Sequence, residues 1–111
     1  MYNNEEIMEL VSLVAEMSDP DRIILFGSYV YGEPDDKSDI DLLVIKNGKD
    51  LSIDDEAKLA TDVLYKRRQL GIQTRYDVFF QTDKQAIMSA EKGGAFADAL
   101  QKGRVVYERA Y

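Results

Sequence analysis

The chain has 111 residues, a formal net charge of −7, 45% hydrophobic residues and 32% charged residues. It contains no cysteine and no histidine, which excludes disulfides, zinc–thiolate sites, thiol nucleophiles and histidine general bases. The length fits a single domain, residues 1–111, with an ordinary soluble core.

Any catalytic metal would need carboxylate, hydroxyl or carbonyl ligands, which suit magnesium, manganese or calcium. An acidic chain binds nucleic acid poorly, so direct nucleic-acid binding is not expected. It also repels a triphosphate unless a cation intervenes. There is no apolar run of about 18 residues, so no membrane span is expected. The acidic start, Met1 to Glu6, lacks the apolar stretch of a signal peptide, and a cytoplasmic location is the expectation.

In chain order, residues 4–18 read as a helix. Asn4 is a candidate cap, Glu5 and Glu6 suit the positive helix end, and Ile7, Leu10, Val11 and Val14 share one face. Asp19-Pro20-Asp21 breaks it, and Arg22 to Phe26 reads as a short buried strand. A polar segment, Gly27 to Ser38, leads to a second strand from Asp39 to Ile45, ended by Asn47-Gly48. Ser52 with Asp55 forms a capping-box pattern opening a helix whose apolar positions are Ile53, Ala57, Ala60 and Leu64, with Gly71 as its stop. Gln73 to Gln81 reads as a third strand. Thr82 with Gln85 opens a short helix to about Lys92, and Gly93-Gly94 breaks it. Ala95 to Lys102 reads as a last helix and Arg104 to Glu108 as a final strand. The expected class is α/β or α+β, with one central sheet flanked by helices.

The chemistry concentrates in Gly27-Ser28, ten further residues, and Asp39-Ile40-Asp41. Alternation along a strand puts Asp39 and Asp41 on one face. Two such carboxylates about 4 Å apart repel by roughly 1 to 4 kcal/mol, and a divalent cation between them reverses the sign. Asp77 lies in the otherwise apolar run Tyr76 to Phe80, and alternation puts Arg75, Asp77 and Phe79 on one face. If the third strand lies beside the second, the three acids can converge on two metal ions. Gly27 lets backbone approach a phosphate, and Ser28 can donate its hydroxyl and N–H to phosphate oxygens.

This combination resembles the nucleotidyltransferase superfamily typified by DNA polymerase beta, and within it the minimal nucleotidyltransferases. Gly27, Ser28, Asp39, Asp41 and Asp77 match that motif, and the order of elements, the length and the ending Lys102 to Glu108 are similar too. The resemblance implies a mixed central sheet and a magnesium-dependent transfer of a nucleoside monophosphate, AMP from ATP, to a hydroxyl. Asp39, Asp41 and Asp77 would hold two magnesium ions, or manganese. Gly27, Ser28, Asp39 and Asp41 would bind the nucleotide. Many relatives are paired with a small helical HEPN protein, and some act as antitoxins that transfer AMP to its tyrosine. Such a partner, or a homodimer, is the corresponding expectation. Many relatives carry arginine where this chain has Tyr31, and Arg75 is the expected substitute.

The alternative is a catalytically silent domain that neutralises a partner by contact alone. Antibiotic-modifying and tRNA-end-building members of the superfamily fit less well, given the length and the charge. Of the remaining features, Tyr29 and Tyr31 read as packing residues and Lys66-Arg67-Arg68 as complementing the helix end. Asp35-Asp36-Lys37 reads as a solvated loop tip, and Phe96, Ala97 and Leu100 as ordinary core.

Overall fold

The first helix, α1, runs Asn4–Ser18. Its cap is Asn3 rather than Asn4: the Asn3 side chain accepts from the Glu6 N–H, and the Glu6 carboxylate returns the bond to the Asn3 N–H. Capping falls to the residue with extended backbone just outside the first turn. Asp19 closes the helix in the left-handed conformation. Ile7, Leu10, Val11 and Val14 are buried as the spacing requires, joined by Leu13.

The structure is a computed structural model and describes residues 1–110; Tyr111 lies outside the described residues. After α1 come β1 (Arg22–Phe26), α2 (Ser28–Tyr31), β2 (Ile40–Ile45), α3 (Ile53–Leu70), β3 (Tyr76–Gln81), α4 (Asp83–Ala90), α5 (Ala95–Lys102) and β4 (Arg104–Glu108). The four strands form one mixed sheet in the order β3-β2-β1-β4. β1 is antiparallel to both β2 and β4, and β2 runs parallel to β3. The parallel pair is joined by α3, the usual crossover for such a connection.

Two strands start later than the sequence suggests. β3 begins at Tyr76, because the Arg75 N–H bonds to the Tyr2 hydroxyl at 2.9 Å instead of to a neighbouring strand. β2 begins at Ile40, whose N–H meets the Arg75 carbonyl at 3.1 Å, leaving Asp39 just outside the ladder.

The sheet separates two apolar layers. On one face α1 and α3 cover Ile23, Leu25, Ile40, Leu42, Val44 and Phe80. On the other, α4 and α5 contribute Ala86 and Ala99 over Ile24, Phe26, Leu43 and Ile45. The inward stripe of α3 differs from expectation. Val63 is buried and Leu59 packs beside it, whereas Ile53 is 85% exposed and Ala57 and Ala60 face solvent. Larger side chains gain more from burial than alanines do, so they set the rotation of the helix. The α3 and α4 capping boxes form as expected, from Ser52 with Asp55 and Thr82 with Gln85. The start of α4 is also tied to the sheet: Arg22 Nη2 pairs with Asp83 Oδ1 at 2.5 Å, and Asn47 Nδ2 donates to Asp83 Oδ2 at 2.8 Å. No helix among the described residues is long and apolar enough to cross a membrane.

Candidate active site

The sheet register fixes how the acids meet. In the parallel ladder Asp41 lies level with Asp77, and across the antiparallel ladder it lies level with Phe26. Facing residues on neighbouring strands point to the same side. The side chains of Asp41 and Asp77 therefore share the α4–α5 face, at the end of the sheet where β1 stops and β2 and β3 start.

Asp41 is half-buried between its neighbours. Its carboxyl is pushed up to about 6, first by desolvation, then by the negative charges of Asp77 and Asp39 and a hydrogen bond shared with Asp77. Burial and like charge both disfavour the ionised form of such a pair.

Asp39 is close enough to repel Asp41, but its own carboxylate is turned toward Arg75. Arg75 Nε donates to Asp39 Oδ1 at 3.0 Å, and Arg75 Nη2 donates to the Asp36 carbonyl at 2.7 Å. The structure therefore brings Asp41 and Asp77 together and sets Asp39 beside them in an ion pair. Among the described residues no group of three His, Cys, Asp or Glu is gathered tightly enough to hold a metal. Arg75 stands level with Asp39 rather than with Asp77, one step before the ladder begins.

Gly27 has a second role that the sequence did not show. Its φ of 77° and ψ of −155° lie in a region essentially restricted to glycine. A Cβ at this position would collide with Asp41 Oδ2. The missing side chain is the space the Asp41 carboxylate occupies. Ser28 follows at the start of α2, where the Val30 and Tyr31 N–H groups both donate to the Gly27 carbonyl. Gly32 closes that turn by donating to the Ser28 carbonyl.

The tyrosines around this turn divide. Tyr29 stacks on Tyr2 at 6.2 Å between ring centroids, and its hydroxyl accepts from the Tyr2 N–H. Tyr31 is exposed. Arg67 lies over the Tyr76 ring, 5.5 Å from its centroid, on the far side of the sheet, consistent with its place in the last turn of α3.

Beside the acids lies an aromatic cluster. Phe79 meets Phe96 at 5.4 Å and Phe26 at 6.2 Å between centroids. Alternation already put Phe79 on the face of Asp77. Phe96 read as plain core, because helix spacing does not say which edge of a core opens onto a site.

A model of the family described as "Polymerase beta, Nucleotidyltransferase" matches residues 8–111. The chain belongs to this nucleotidyltransferase family. The match spans every strand and the whole Gly27 to Asp77 arrangement, and the mixed sheet with flanking helices agrees with that fold. No curated protein matches the chain. Membership makes general nucleotidyl transfer the activity of the domain type.

Proposed function

We propose that this protein is a magnesium-dependent transferase that moves AMP from ATP to a hydroxyl acceptor, with Asp41 and Asp77 as the central metal-binding pair and Asp39 as the third acid. The observation that carries this is the level pairing of Asp41 and Asp77 on adjacent strands, with Asp41 pushed up to about 6 by burial and like charge. Proteins retain such costly pairs at functional sites far more often than elsewhere. The donor atoms are all carboxylate oxygens, which fit a hard cation. When bound, magnesium would screen the triphosphate and the departing pyrophosphate and favour the ionised acceptor.

The chain's own groups do the rest. The acceptor oxygen forms a bond to the α-phosphorus while the bond from that phosphorus to the bridging oxygen breaks, and pyrophosphate leaves with those electrons. Asp77, the exposed member of the pair, takes the acceptor's proton. Ser28 holds phosphate oxygens with its hydroxyl and its N–H. Arg75 supplies positive charge in place of the arginine that Tyr31 replaces, exchanging Asp39 for the triphosphate.

The acceptor would come from a partner, and a small helical HEPN-type protein in the cytoplasm, with its tyrosine as target, follows from the family resemblance. A second reading is favoured by the Arg75–Asp39 pair, which occupies one of the three acids. On that reading the domain is silent and neutralises its partner by contact. Incubation with magnesium and α-labelled ATP, with and without the neighbouring gene's product, separates the two. Transfer of label by wild type, abolished in Asp41→Asn and Asp77→Asn, supports the transferase. Equal behaviour of wild type and variants, with partner neutralisation intact in all, supports contact alone.

A further inference from the structure

The phosphate chemistry leaves the cluster of Phe26, Phe79 and Phe96 unused. Phe26 is buried and Phe96 half-buried, as core residues are, but Phe79 is 39% exposed. With Phe96, Ser89, Gly93 and Ala95 it lines a hollow of about 310 Å³. Two phenyl rings, one hydroxyl and small residues make a wall that disfavours phosphate and suits an uncharged planar ring. The volume is at the lower end of small-molecule sites.

Its position is as telling as its lining. Phe79 follows Asp77 by two residues on the same face of β3, about 6.6 Å further along the strand. Phe26 is the cross-strand neighbour of Asp41. In a nucleotide, a ribose separates the α-phosphate from the base by a comparable reach. An acceptor such as tyrosine carries its hydroxyl directly on the ring, so its ring would crowd the acids rather than reach the hollow.

We infer that Phe79 and Phe96 form the nucleobase subsite, with the donor's base against the exposed part of the Phe79 ring and the Ser89 hydroxyl available to its polar edge. This rests on the transferase reading above. Stacking alone tolerates every base, so discrimination falls to Ser89 and to the backbone at Gly93, and the larger purines gain most from the ring.

The test compares ATP with inorganic tripolyphosphate, each with magnesium, in equilibrium titrations. Wild type should bind ATP more tightly than tripolyphosphate. Phe79→Ala should weaken ATP about tenfold and leave tripolyphosphate unchanged. The chain contains no tryptophan, so Phe79→Trp adds a single reporter whose emission ATP should quench and tripolyphosphate should not. That variant keeps the readout even if Phe79→Ala fails to fold. Equal affinity of wild type for the two ligands, or a Phe79→Trp signal indifferent to ATP, overturns the subsite while leaving phosphate binding standing. Failure of wild type to bind either ATP or tripolyphosphate overturns the transferase reading, and the subsite with it.

Discussion

Replacing Asp41 by asparagine should stabilise the metal-free protein. In the folded chain the Asp41 carboxyl is raised from 3.8 to about 6, chiefly by burial and then by Asp77 and Asp39. At full strength a rise of that size corresponds to about 3 kcal/mol. The group is only half-buried, and solvent screening leaves roughly 1 to 2 kcal/mol. The folded state holds this proton more tightly than the unfolded chain, so it binds more protons between the two values. Stability therefore falls as pH rises from about 4 to about 6, and the penalty is complete above that window. Asparagine keeps the shape and removes the charge. In urea denaturation with a chelator present, Asp41→Asn should exceed wild type by roughly 1 to 2 kcal/mol at about pH 7.5 and match it at about pH 3.5. Magnesium should raise the stability of wild type and not of the variant. A variant less stable than wild type at neutral pH, or a difference that ignores pH, would refute the reasoning.

Gly27→Ala should cost about 1 to 3 kcal/mol from the backbone conformation alone, and by displacing Asp41 it should weaken manganese binding, measured by paramagnetic relaxation of water. Arg75→Ala should change stability by less than about 1 kcal/mol, because its pair with Asp39 is exposed. The same change should increase manganese affinity in the absence of nucleotide, since Asp39 loses a competing cation, and should weaken ATP binding in calorimetry. Asp83→Ala removes a two-pronged bond from Arg22 and a bond from Asn47; a loss of roughly 1.5 to 3 kcal/mol in thermal or urea unfolding is expected, with no effect on metal affinity.

The sequence carried the fold well where local chemistry decides. The capping boxes at Ser52 and Thr82, the stop at Gly71 and the strand Arg22–Phe26 all depend on near neighbours. It failed where a distant partner decides. The Tyr2 hydroxyl takes the Arg75 N–H across 73 residues and delays β3, and no local pattern announces that. Alanines match the helical period of α3 as well as Leu59 and Val63 do, so periodicity alone does not choose its buried face. Within the site, alternation put Asp77 and Phe79 on one face, yet alternation alone gives no register. The level match of Asp41 with Asp77 rather than with Arg75, and the collision that reserves Gly27's missing side chain for Asp41, come only from the assembled sheet.

The parallel pairing of β2 with β3 has a consequence for how the protein is made. Asp41 and Asp77 are 36 positions apart in the chain, with the 18-residue α3 between them, so neither half of the chain owns a cation site. The crossover must close before two carboxylates stand side by side, and loop closure of that span is slow relative to hairpin formation. On the proposed reading, a nascent chain cannot capture magnesium before β3 is made, and metal affinity reports whether β2 and β3 have paired.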